Sequence, residues 1–542
     1  PVNVGRNAEI HGQEHPGELS NATFDRVRIF SRALSAAELA SDSQQLRQEA
    51  LLWLDFEVAQ EKGEFYSLGI GGRSYGVIWP DRRVQPELWQ LKKSAQPIAF
   101  EAVDLDRGRL RVINHYNFTD LDSLDASWQL TANGEVVQSG QLDLALAPSD
   151  EVTIDVPFVR ADLVPTTKYP GTEYRVRVVF SLREETPWAP AGHEIAWEEF
   201  DLPLESPPPI ELTDETMPPL VLDEAGNRLV LSGPDFTYSF DVDKGVLNSM
   251  VFRGVELLRS GPRANVWRAP LANERDGWGT YRGKLRTARA GWGNDIANGW
   301  RSLGLDRLEQ HVERLEVVRV SPAEVRVEID TRLVSEVVPA TAFASGFDVS
   351  YVYRILGSGD VLLHQAVTPQ GVMPDWLPKA GLELVLAPHL GALTWYGRGP
   401  HETYPDRKTG ARMGVYTSTV AGEYQPYLVP QDYGNKSDVR WIALTGADGI
   451  GLLAAADVAL EASARQFSTD NLSRANFPFQ LAAQDGITLN LDHRVSGVGG
   501  TAISVLAAHR VAPAPWQYST RLRPFDASEE SPATLYRQWI FQ

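Results

Sequence analysis

The chain contains no cysteine, which removes disulfides, thiolate nucleophiles, zinc–thiolate sites and iron–sulfur ligation together. Its stability has to come from burial. Positive charge is in short supply too: 51 Lys and Arg stand against 71 Asp and Glu, a formal charge of -20. That field repels phosphate backbones and anionic lipid heads, so no nucleic-acid partner is expected. Also missing is any run of the ~18–20 uncharged apolar residues that a spanning helix needs, so no membrane partner is expected. The opening PVNVGRNAEIHG has neither an initiator Met nor a basic-then-apolar leader, so any leader would lie outside this sequence. The compartment stays open, with a soluble protein of the bacterial cytoplasm or periplasm as the expectation.

What is present is ordinary globular material. With 542 residues, 43% hydrophobic and 23% charged, the chain is too long for one core and predicts about three units. One short helix is expected after Phe30, in SRALSAAELASDSQQLRQEALL, with Ser31 or Ser35 as N-cap and Leu34, Leu39, Leu46 and Leu51 at helical spacing. Elsewhere apolar residues alternate, as in RLRVINHYNF, EVRVEIDTRLV, FDVSYVYRIL and GITLNLDHRV, between Gly, Pro and Asn-Gly breaks. Closely spaced strands without intervening helices predict an all-β protein built of antiparallel sandwiches. ESPPPIELTDETMPPL at 205–220 cannot continue a ladder and marks one boundary; AQEKGEFYSLGIGG around 60–72 marks another. The expected units are 1–60, 61–206 and 207–542.

Fifteen Trp, 17 Tyr and 19 Phe in an acidic β-protein make carbohydrate the first ligand class to consider, since sugar C–H faces stack on rings while hydroxyls take fixed hydrogen bonds. For any single Trp, filling the gap between sheets is the commoner role. The densest cluster is WYGRGPHETYPDRKTGAR, from Trp395 to Arg412, whose Gly and Pro content predicts loops of set conformation. Glu402 and Asp406 could form an acid/base pair, but four residues apart in a loop fixes neither glycosidase separation. Salt bridges to Arg398, Arg407 or Arg412 are the stronger expectation. His401 and Glu402 lack a second His at ligand spacing, so no metal site is assigned. No nucleophile elbow surrounds Ser468, Ser473 or Ser496, and GVGG at 497–500 lacks the context of a dinucleotide fold and reads as a tight loop.

The cluster at Trp395 resembles the C-terminal domain of lac-type β-galactosidases of glycoside hydrolase family 2. The resemblance continues through YQPYLVPQDYGN (424–435), LNLDHRVSGVGG (489–500), NVWRAPLANERDG (265–277) and YGVIWPDRRVQPELWQLKKSAQPI (75–98), in the family's order over about residues 65–542. It implies an immunoglobulin-like sandwich followed by a large antiparallel β-supersandwich, with Trp395, Arg398, Glu402, Tyr404, Asp406 and Arg407 as structural signature residues. FDRVRIFSRALSAAELASD (24–42) is similar to the end of a laminin-G or concanavalin-like jelly roll, so the chain is expected to begin inside a domain.

The same resemblance implies retaining hydrolysis of terminal β-D-galactose, with both catalytic glutamates on an upstream (β/α)₈ barrel. No catalytic residue is therefore assigned here, and Asn273-Glu274 is read as a chance copy of the family's catalytic dipeptide. Any Mg or Na ion would belong to that barrel, and a homo-oligomer is compatible. The family loop after GxGG carries a Trp that stacks on sugar; here Thr501, Ala502, Ile503 and Ser504 stand in its place, a loss of ~1 kcal/mol of contact. Ala272 stands where Asp is common. The candidate sugar-contacting residues are Asp492, His493, Arg494, Thr501 and Ser504. Three readings remain: part of a β-galactosidase that walls its sugar site, a stand-alone carbohydrate-binding or scaffold protein, and a hydrolase working through Glu402 and Asp406.

Overall fold

A computed structural model of the chain describes residues 27–41, 43–50, 52–54, 76–79, 81–160, 172–204, 217–275, 296–335, 345–475, 477–500 and 505–538. Most of the expected boundary at 205–220, and all of that at 60–72, fall outside them. Near the N-terminus Val27–Ile29 pairs antiparallel with Leu52–Leu54. The single helix expected there is two short ones, Ala36–Leu39 and Gln44–Glu49, each capped by a serine hydroxyl, Ser35 and Ser43. Serines compete for the backbone locally, and the Ser43 hydroxyl, taking Leu46 N–H, starts the second helix. The remainder of the jelly-roll expectation lies outside the described residues.

Residues 98–202 form a sandwich. A sheet of Ile98–Asp104, Arg109–Asn114 and Glu151–Asp155 faces one of Glu135–Leu142, Leu124–Ala132, Tyr174–Leu182 and Glu194–Leu202. Alternation puts Leu110, Val112, Trp128, Leu130, Val176, Val178 and Phe180 in one core between the sheets. The Asn133–Gly134 turn has both residues at positive φ, 50° and 86°, the two-residue hairpin that Asn-Gly favours.

The rest is one large curled antiparallel sheet plus a smaller one. The five-stranded sheet runs from Val221–Ala225 to Val255–Glu256. In the twelve-stranded sheet, Leu258–Asn265, Lys379–Leu386, Ile487–Val495, Ile450–Arg465, Trp516–Asp526 and Val361–Gln370 lie side by side. The strand Ile450–Arg465 is long enough to serve two neighbours: its first half pairs with Trp516–Asp526 and its second half with Ile487–Val495. A branch off it carries Lys436–Thr445, Ala392–Gly399 and Arg412–Thr419. The all-β expectation, with a sandwich followed by a large curled antiparallel sheet, matches this architecture.

The branch is also where the two parts interlock. Arg175 Nη1 donates to Tyr396 Oη at 2.6 Å, Arg440 Nε to Glu173 at 2.6 Å, and Met413 N to Glu199 at 3.2 Å. A Cβ at Gly134 would lie 2.8 Å from Gly414 Cα, so the Asn-Gly turn presses its backbone onto the Arg412–Thr419 strand. A helix that strand alternation hides, Pro86–Ser94, packs beside this branch: Pro at N1, Glu87 in the first turn and Lys92 and Lys93 in the last are its local signals.

Candidate functional site

Two of the family-like segments, 265–277 and the cluster from Trp395 to Arg412, are far apart in sequence but meet at the backbone 496–499, where the Ile487–Val495 strand ends. Arg268 is wholly buried and donates to Gly497 O at 3.0 Å and to Ser496 O at 2.5 Å. Asn273 Nδ2 donates to Val498 O at 2.7 Å. From the opposite direction Asp406 accepts Val498 N–H at 2.9 Å and Gly499 N–H at 2.8 Å, one on each carboxylate oxygen. Ser496 Oγ donates to Leu377 O and receives Val511 N–H. Every backbone polar group of Val498 is thus held by a side chain, and Gly499 turns the chain at φ 62°. The expected salt bridge from Asp406 to a neighbouring arginine is not among the described contacts; two backbone N–H groups, which match a carboxylate's two oxygens, take its place.

This clamp rests on a buried ionic layer. Glu274 pairs with Arg268 at 2.6 Å and also accepts Leu271 N–H at 2.8 Å, so it braces the arginine that grips the loop. Arg275 donates to four carbonyls, of Pro270, Pro430, Leu472 and Ala475, and burial lowers its pKa to about 10. Glu402 is buried and accepts Gly434 N–H at 2.7 Å, with Arg407 and the Tyr427 hydroxyl on its other oxygen. Burial pushes its carboxyl up against the pull of Arg407. Arg407 also meets Glu87 of the Pro86–Ser94 helix. Tyr404 donates to Asp432 at 2.8 Å, and Asp432 pairs with Arg465 at 2.7 Å. Trp395 is buried, its indole N–H on Arg398 O, while Arg398 ties Asp438 to Ala411 O.

The two carboxylates once considered as a pair face different partners. Glu402 points into the protein and Asp406 onto the 498–499 backbone, so the geometry does not present them across a cleft. His401 is stacked on the half-exposed Trp89, and burial with Lys436 and Arg407 nearby holds its pKa down at about 3. Among the described residues no group of three or more His, Asp or Glu is placed to hold a metal.

Of the five candidate sugar contacts, Asp492 is buried, with Lys379 Nζ at 3.3 Å, and burial raises its pKa to about 6. It cannot meet a ligand on the surface without breaking that pair. His493 is half-buried and stacked on Tyr518. Arg494 is exposed on the strand that leads into the clamp. Thr501 and Ser504 lie outside the described residues. Arg268, Asn273 and Glu274, which organise the loop, carry no local signal of that role: Arg268 and Asn273 reach backbone more than two hundred positions away, and Glu274 acts through Arg268.

Gly497 is required by close approach. A Cβ there would sit 2.4 Å from Asp406 Cγ, so Gly497→Ala should displace the carboxylate and release both N–H groups it caps. The expected cost is about 1–3 kcal/mol, read as a lower urea midpoint together with faster amide exchange at 496–500.

Comparison with known proteins finds relatives for most of the chain. The β-galactosidase small chain family matches residues 232–522, and β-galactosidase domain 4 matches residues 110–203. The β-galactosidase of Priestia megaterium is 32% identical over 427 residues, 78% of this chain and 38% of that protein. That of Vibrio vulnificus strain YJ016 is 28% identical over 499 residues, 87% of this chain and 45% of that protein. The chain therefore spans under half the length of these relatives. Among solved structures, a galactose mutarotase-like protein from Clostridium acetobutylicum aligns with 57% of this chain and 99% of its own at 10% identity and a TM-score of 0.32. With more than half its length matched by the family, this chain belongs to the β-galactosidase small chain family.

Proposed function

We propose that the chain is the C-terminal portion of a retaining β-galactosidase, and that its part in the reaction is to hold the 496–500 loop rigidly against a sugar site completed by an upstream catalytic barrel. The convergence of Arg268, Asn273 and Asp406 on the backbone of 496–499 carries this reading. A loop whose backbone groups are committed from Ser496 to the Gly499 N–H loses little further entropy when it meets a ligand, which is the use of preorganised walls around a carbohydrate. In this reading one barrel glutamate attacks the anomeric carbon and another protonates the leaving oxygen, and a Mg or Na ion would belong to the barrel. The substrate is a terminal β-D-galactoside, with Arg494, Thr501 and Ser504 as the contacts offered from this chain.

The purified 542-residue chain should accordingly show no turnover of a chromogenic β-galactoside above a buffer blank. Turnover that Glu402→Gln abolishes would overturn the proposal in favour of chemistry within this chain.

A further inference from the structure

The far end of the large sheet holds a recess that the proposed function does not use. Its volume is about 340 Å³, and it opens between the turn at Arg253, the turn at Gly357–Ser358 and the end of the Trp516–Asp526 strand. The clamped loop is tied through Ser496 to Val511, just before that strand begins. The eleven-residue strand, about 36 Å long at ~3.3 Å per residue, has the clamped loop near its start and the recess at its end.

The lining combines an apolar floor, Phe252, Pro524 and Phe525, with a rim that carries more carboxylates, Asp526, Glu529 and Glu530 among them, than guanidinium groups, Arg253 and Arg523. Arg253 pairs with Asp526 at 2.9 Å and Glu529 at 2.8 Å. Arg523 is held from behind by Asp360 at 3.1 Å, while its Nε is buried without a hydrogen-bond partner. An anionic ligand would have to break one of these pairs. Hydroxyls can join them, donating to the carboxylate oxygens and accepting from the guanidinium N–H groups. A ring with one apolar face and several hydroxyls would satisfy floor and rim together.

Arg253 is itself out of place by local rules. The Arg253–Gly254 turn, with φ of 49° and 83°, joins Phe252 to Val255 in the two-residue hairpin form whose first position suits Asn or Gly. An arginine keeps backbone strain there and delivers its guanidinium to the recess wall. We propose that this recess is a second, non-catalytic binding site for a neutral saccharide of one or two sugar units.

Amide hydrogen exchange of the whole chain with lactose as the probe tests it. At tens of millimolar lactose, peptides containing 252–254, 357–359 and 523–530 should be protected. Arg253→Asn, which suits the turn and removes the guanidinium, should weaken that protection at least five-fold in apparent Kd while leaving the unfolding midpoint at or above its original value. Protection confined to 496–500, no protection at all, or protection unchanged in Arg253→Asn would each overturn the proposal.

Discussion

Glu274→Ala should destabilise the protein by about 3–5 kcal/mol, the usual consequence of stripping one partner from a buried ion pair. Arg268 would be left charged with a side chain fully shielded from water and no carboxylate at 2.6 Å. Its bonds to the Ser496 and Gly497 carbonyls would then have to carry a desolvated cation alone. Glu274→Gln keeps the shape and one acceptor but not the charge, so its cost should fall between wild type and alanine. Urea unfolding measures the ranking. The sharper readout is local: amide exchange at 496–500 should accelerate in Glu274→Ala more than at Ile98–Asp104 in the separate sandwich. Equal exchange in wild type and variant would mean that the ion pair does not brace the loop.

Stability should also fall as pH rises from about 6 to 8.5, and Glu461 is the main reason. Burial pushes its carboxyl up to about 8, against donation from Asn435 and Ser437. The folded protein therefore keeps a proton that the unfolded chain has lost above about 4.5. Stability from this group is complete below that value and declines through the window up to about 8, by at most ~1.4 kcal/mol per pH unit. Asp492, raised to about 6 by burial and paired opposite Glu461 across the strands, acts in the same direction at lower pH. Glu461→Gln removes the titrating group but keeps the acceptor oxygen. Its urea midpoint should change less between pH 6 and 8.5 than that of wild type; parallel curves would show that Glu461 is ionised throughout.

The fold class was legible because strand alternation is a local property. FDVSYVYRIL reads as inward and outward residues, and in the sheet Phe347, Val349, Tyr351, Tyr353 and Ile355 are the buried ones. The Pro86–Ser94 helix is not legible by alternation although Pro at N1 and the end-turn charges are present, since its few apolar residues follow no stripe: Trp89 and Leu91 remain exposed. The cluster at Trp395 stood out by its Gly, Pro and charge content, and the pairing of Glu402 with Arg407 was reachable from sequence because five residues in a turn can meet. The role of Asp406 was not, because its partners are backbone amides at 498 and 499, which have no side-chain signature.

Sequence alone determined what the protein could not use, the alternation that makes it all-β, and the family resemblance that its separated segments carry together. Only the tertiary structure decided what those segments do. Arg268, Asn273 and Asp406 act on one loop because sheet topology returns distant chain to the end of the Ile487–Val495 strand, and contacts this far apart in sequence leave no periodicity to read. A shift of register against Ala380–Gly381, which leaves His493 as an extra residue, separates Asp492 from Arg494, two positions apart on one strand: the first is turned into the sheet to meet Lys379 and the second stands at the surface.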